Sequence, residues 1–154
     1  MKKYDLVLTS KFRKALKLAK KAGDLGEIPI GAVIVLNDEI ISEAYNQRNA
    51  KKDATAHAEV LAIKKACKKL GDWRLENAEM YVTLEPCPMC AGAIVNARIK
   101  KVYFGAYERK SGSVFSNYRI LFGGGLNHKT EAEGGVLEKE CSELITEFFK
   151  QKRN

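Results

Sequence analysis

The sequence predicts a single α/β domain, a mixed β-sheet with helices on both faces. Three observations carry this prediction. Strand-like apolar runs alternate with amphipathic helical runs along the chain, the pattern of a sheet covered by helices. Asn37-Asp38 joins two neighbouring strand patterns as a tight hairpin, which introduces antiparallel pairing. Ala78 to Gly105 reads as strand, helix, strand, a right-handed crossover between parallel strands. The 154 residues match one domain, 1–154, and such a chain can bury roughly 68–70% of its unfolded surface.

Each element has a local reason. Ser10 to Ala22 is helical because Phe12, Ala15, Leu16, Leu18, Ala19 and Ala22 share one broad face, with Gly23 and Gly26 ending it. Ile30 to Leu36 and Glu39 to Tyr45 are the hairpin strands. Ala56 to Leu70 is a helix with Thr55 as its expected N-cap and Gly71 just past its end. Ala78 to Leu84 is a third strand, and Pro86 suits the first position of a helix running to about Asn96. Lys101 to Gly105 is a fourth strand. Val114 to Phe122 reads as a short helix before Gly123-Gly124-Gly125, and Lys129 to Glu133 as a charged edge strand. Leu137 to Lys152 closes the chain as a helix with Leu137, Cys141, Leu144, Ile145 and Phe148 on one face.

Composition excludes several classes. With 45% apolar and 30% charged residues, a mainly disordered chain is ruled out. The most apolar stretch, Ile28 to Leu36, is interrupted by Pro29 and Gly31 and falls far short of the about 20 residues that cross a bilayer. Asp5 and Thr9 break any signal-peptide apolar region, so a cytoplasmic location without membrane attachment is expected. Lys and Arg number 27 against 19 Asp and Glu, a net charge of +8, and eight of those cations lie in the first 21 residues. Such an excess suits a polyanionic partner, nucleic acid above all, or a lysine-rich surface kept for solubility.

Chemistry concentrates in Thr55-Ala56-His57-Ala58-Glu59 and Glu85-Pro86-Cys87-Pro88-Met89-Cys90. Alone, Cys-x-x-Cys is a redox pair, half a zinc site or two core thiols, and His-x-Glu is a surface accident. Geometry joins them. The helix after His57 spans about 22 Å, and the strand Ala78 to Leu84 about 23 Å. Laid antiparallel, the strand brings Cys87 and Cys90 back beside His57. One His and two Cys are three zinc ligands, and catalytic zinc keeps a fourth position for water. Two thiolates and Zn²⁺ sum to zero charge, and a site of this kind can bring a bound water to a pKa of about 7. Cys67 and Cys141 fall on apolar helix faces and read as core; His128, after the glycine run, is a weak alternative ligand. Glu59 stands one residue too late for a capping box from Thr55. It is either a first-turn helix charge or the group that moves protons off the zinc water.

His-x-Glu followed by Pro-Cys-x-x-Cys resembles the signature of zinc nucleobase deaminases. Gly26-Glu27-Ile28-Pro29-Ile30-Gly31-Ala32-Val33, Asn46, Leu84 to Ala93, Gly105-Ala106, Leu126-Asn127-His128 and Glu147-Phe148-Phe149 extend the resemblance to the bacterial tRNA-specific adenosine deaminases. The resemblance implies a three-layer α/β/α cytidine-deaminase-like fold with a five-stranded mixed sheet, and a homodimer. It implies hydrolysis of the wobble adenosine in a tRNA anticodon stem-loop to inosine, by a zinc-activated water attacking C6. One zinc per chain would be held by His57, Cys87 and Cys90, with Glu59 as proton shuttle. Asn46 falls where the family contacts the nucleoside, and is otherwise a turn asparagine. Ile28 would form part of the base pocket, and is otherwise a strand-edge apolar residue. Glu108 stands where the family usually has Asp, in Gly105-Ala106-Tyr107-Glu108-Arg109-Lys110-Ser111-Gly112, where one extra methylene can shift an anticodon-loop contact. Phe149, beside Lys150, Lys152 and Arg153, suits an RNA loop, where bases stack and phosphates need neutralising. It is otherwise gap-filling in a solvated tail. The competing functions are a zinc deaminase of guanine, cytosine or a free nucleoside, and a non-enzymatic zinc module that binds nucleic acid.

Overall fold

A computed structural model describes residues 6–122 and 128–152. Its elements in chain order are α1 (Leu6–Asp24), β1 (Gly31–Leu36), β2 (Glu39–Tyr45), α2 (Arg48–Lys51), α3 (Ala58–Leu70), β3 (Glu79–Leu84), α4 (Pro88–Asn96), β4 (Lys101–Ala106), a 3₁₀ turn (Ile120–Phe122), β5 (Glu131–Glu133) and α5 (Glu138–Lys152). The five strands form one sheet in the order β2-β1-β3-β4-β5. β1 pairs antiparallel with β2 and β3, while β3–β4 and β4–β5 are parallel. Asn37 and Asp38 both have positive φ, 52° and 64°, as a type I′ hairpin requires.

Strand periodicity divides the core. Ala32, Ile34, Met80, Val82, Val102 and Phe104 pack on the side that carries α3 and α4. Val33, Val35 and Tyr81 pack on the other side with Phe12 and Leu16 of α1 and Cys141 of α5. Five of the six β1 residues are buried, because β1 is covered on both faces. Cys141 is the core residue that its position on the helix suggests: any Cβ at Gly105 would overlap its sulfur.

Several boundaries differ from the sequence expectation. α1 starts earlier, at Leu6, with Leu6 and Val7 exposed. The N-cap of α3 is His57 and that of α4 is Cys87, so Pro88, not Pro86, occupies the first helical position. Thr55 instead donates to the Asp53 carboxylate. The expected helix Val114 to Phe122 shrinks to Ile120–Phe122 because the amides of residues 114–116 donate to Glu85. The buried face of α3 is Ala58, Glu59, Ala62 and Ala66; Cys67 is half-buried and Leu70 is exposed. Small side chains on that face let the helix lie close to the sheet. Gly123-Gly124-Gly125, Leu126-Asn127 and Arg153 lie outside the described residues.

Candidate metal and acid–base site

The topology gathers the candidate residues at one end of the sheet. β3 and β4 are parallel, so Glu85-Cys87 and Glu108 follow their carboxyl ends together. β1 is antiparallel to β3 and β2 to β1, so Ile28, before β1, and Asn46, after β2, come to the same end. The crevice outside the carboxyl ends of parallel strands is where open α/β sheets place ligands.

Two of the metal-type donors sit at N-cap positions. His57 (φ −78°, ψ 153°) and Cys87 (φ −77°, ψ 174°) make no side-chain cap hydrogen bond. The α3 amide that His57 leaves unpaired is taken by Asn46, whose Oδ1 accepts from Ala58 N at 2.8 Å. The imidazole is thereby free to face the sulfurs. His57 Nδ1 lies 3.6 Å from Cys87 Sγ and 3.5 Å from Cys90 Sγ. With Zn–N of about 2.0–2.1 Å and Zn–S of about 2.3 Å, the N···S edge of a tetrahedral site is about 3.5–3.6 Å. His57, Cys87 and Cys90 form the sole group of three metal-type donors among the described residues. These three residues fit zinc and leave one tetrahedral position open.

Electrostatics separate the groups. The Cys90 thiol, with the His57 imidazole beside it, holds the Cys87 thiol down to about 4. Cys90 is pushed up by that same pairing and by burial, and His57 is raised by its bond to Cys87. Glu59 is 3% exposed, and its Oε1 has no hydrogen-bond partner among the described residues. Burial first, and the Cys87 charge after it, push its carboxyl up to about 7. An orphaned buried oxygen in the wall of a cavity is a group kept ready for a ligand or a proton.

A cavity of about 200 Å³ contains His57, Glu59 and Cys87, and its walls include Ile28, Asn46, Glu108 and Phe149. The structure thus brings together the residues proposed for metal, proton and substrate contacts. His128 is not among them: its Nε2 lies 2.8 Å from Ile99 O, just before β4. Phe149 is 42% exposed and lines the cavity. Arg48, Leu84, Glu85, Ser111 and Ile145 also line the cavity, though spacing in the sequence did not single them out. For Arg48 the missed signal is Glu27, buried and accepting from Asn49 N and Ala50 N, which holds the short α2 in place. A larger groove between α1 and α5 is lined by Arg13, Lys17, Lys20 and several glutamates, and holds no metal-type cluster among the described residues. Part of the basic excess is paired within the fold, as Lys11–Asp38, Arg13–Glu140 and Lys14–Glu43.

The fold and this donor set are those of a nucleobase deaminase, and the chain belongs to the MafB19-like deaminase family, whose model matches residues 8–153. Its similarity narrows to the tRNA-specific adenosine deaminases. It is 51% identical over 141 residues to the tRNA-specific adenosine deaminase of Bacillus subtilis (strain 168), covering 92% of this chain and 88% of that protein. A solved structure from work on tRNA:A34 deaminases, enzymes of A-to-I editing at the wobble position, superposes with a TM-score of 0.85. It is 43% identical and covers 88% of this chain and 99% of its own. The guanine deaminase of Bacillus subtilis superposes with a TM-score of 0.62 at 45% identity, over 64% of this chain and 63% of its own.

Proposed function

We propose that this chain hydrolyses adenosine to inosine at the wobble position of a tRNA anticodon, with one zinc per chain held by His57, Cys87 and Cys90. The observation that carries this reading is the buried Glu59 carboxylate, its Oε1 without a partner among the described residues, in the cavity lined by His57 and Cys87 of the three-donor group. When bound there, zinc supplies Lewis-acid activation of water at its open position.

The protein's own groups do the rest. Glu59, with a carboxyl pushed up to about 7, takes one proton from the attacking water and delivers it to N1 of the adenine, then takes the second from the new C6 hydroxyl and gives it to the departing amine. Water oxygen bonds to C6, the C6–N bond breaks, and inosine and ammonia leave, so atoms balance without a further reactant. Asn46 is fixed by its bond to Ala58 N, which holds its amide in the cavity wall against the nucleoside. Ile28 and Ile145 give the base an apolar floor, and Phe149 offers a ring for stacking. The base must leave its stack to enter, so an anticodon loop is the natural presentation.

A homodimer fits the same reading. Met89 is exposed on α4, and Gly92 has open space over it, so a second copy could pack closely there. No helix among the described residues is long and apolar enough to cross a membrane.

The test is incubation of the zinc-loaded protein with an anticodon stem-loop carrying A at the wobble position, beside free adenosine, cytidine and guanine. Inosine in the stem-loop alone supports the reading. The similarity to guanine deaminase favours the second reading, deamination of a free base, and xanthine from guanine with an unmodified stem-loop would establish that instead.

A further inference from the structure

Residues 107–119 connect β4 to the 3₁₀ turn and form one wall of the cavity through Glu108 and Ser111. This segment has no regular structure to hold it. Backbone bonds such as Ser113 N to Pro86 O at 2.8 Å and the burial of Val114 contribute, but the side chain that gathers the most of its amides is Glu85. Its Oε2 accepts from Val114 N at 3.2 Å, Phe115 N at 2.7 Å and Ser116 N at 2.9 Å. Its Oε1 accepts from Glu108 N at 3.0 Å and from the Ser116 hydroxyl. A carboxylate offers about four lone-pair sites, so these donors saturate it and leave nothing for a ligand. Burial alone would raise the carboxyl, but the Ser116 hydroxyl and the amides of Phe115, Ser116 and Glu108 hold it below its ordinary value. Gly112 passes so close that a Cβ there would overlap the Glu85 carboxyl and the Glu108 carbonyl.

Glu85 also stands two residues before Cys87, at the junction from β3 into α4. The same short segment therefore carries a metal-type donor and the anchor of the substrate-facing wall. We propose that Glu85 is a positioning residue for the nucleotide: it fixes the wall from Glu108 to Ser116 in register with the His57, Cys87 and Cys90 donors. This role rests on the deaminase reading above. Without Glu85 these buried and half-buried amides lose their acceptor. The wall then opens, and substrate must reorder it on binding, a cost that appears in KM.

The experiment compares Glu85→Gln, Gly112→Ala and Ser116→Ala with wild type, each zinc-loaded, on the wobble-A stem-loop across a concentration range. The Gln amide nitrogen cannot accept the hydrogen bonds that one carboxylate oxygen accepted, and the methyl group introduced by Gly112→Ala would displace the carboxylate. Both variants should raise KM about tenfold with kcat within about threefold, and Ser116→Ala should raise KM about two- to threefold. Zinc content should be unchanged. If Glu85→Gln fails to fold, the Gly112 and Ser116 variants carry the test. KM within twofold of wild type in the folded variants, or a loss confined to kcat, would overturn this role alone. Wild-type protein that forms no inosine would overturn the deaminase reading and this role with it.

Discussion

Two carboxylates in the wall of one cavity are buried almost equally and behave as opposites. Glu59 is 3% exposed and Glu85 is 2% exposed. Glu85 is saturated by three consecutive amides, a fourth amide and a hydroxyl, which hold it ionised. Glu59 keeps an oxygen without a partner, and burial pushes its carboxyl up to about 7. Burial therefore does not define a carboxylate's role; the donors around it do. A saturated carboxylate organises backbone and cannot exchange a proton cheaply. An unsaturated one is costly to fold around, and that cost is tolerated where a proton must move.

The contrast breaks first at Glu59. Glu59→Ala should retain zinc and the folded state while turnover falls by about 10²–10⁴, the worth of a positioned acid–base group. Stem-loop deamination by the variant within a few-fold of wild type would reduce Glu59 to a helix-terminus charge. The metal donors give a second, pH-dependent contrast. Zinc binds thiolates and a neutral imidazole, but without metal Cys90 and His57 hold their protons more strongly than usual. Zinc binding must displace those protons, so its affinity should fall as pH falls, by about tenfold per pH unit for each proton displaced. A competition titration with a coloured chelator between pH 8 and pH 5 reads this, and a pH-independent affinity would contradict the donor assignment.

A smaller effect sharpens the role of Asn46, which is both a cap and a cavity wall. Asn46→Ala should cost about 0.5–2 kcal/mol of stability through loss of the cap on α3. Asn46→Asp keeps an acceptor for Ala58 N, so denaturant unfolding should recover while activity stays low. Equal activity in wild type and Asn46→Asp would confine Asn46 to capping. The smallest effect concerns the end of α5, where Phe149 and Lys152 border the adjoining pocket. Replacing Lys150, Lys152 and Arg153 with Ala should flatten the salt dependence of stem-loop binding by up to about 0.7 for each phosphate no longer neutralised. Superimposable slopes would move the search for phosphate-binding cations to the lysines of α1.

The reactive half of this comparison was legible from the sequence and the organising half was not. His57, Glu59, Cys87 and Cys90 stand at short spacings whose chemistry is restrictive, and helix and strand lengths alone bring them together. The order of helices and strands was legible for the same reason, since periodicity is local. Glu85 was hidden because its partners lie 23 to 31 residues away along the chain, and only the closed fold brings them near. The same capture explains why Val114 to Phe122, apolar enough to suggest a helix, has its first three amides turned to Glu85 instead. α2 has four residues, too few to show a period, and depends on Glu27 across the fold. Thr55 looked like a better cap than His57 by residue preference, but Asn46 supplies the missing acceptor from another strand end.

On the proposed function, three protein donors and an open position make this a catalytic metal site. Metal analysis combined with X-ray absorption at the zinc edge tests it most directly on the purified full chain. The expected result is about one zinc per chain, with two sulfurs, one nitrogen and one oxygen or nitrogen donor that the protein does not supply. Metal content near zero, or a shell filled by four protein ligands, would contradict it.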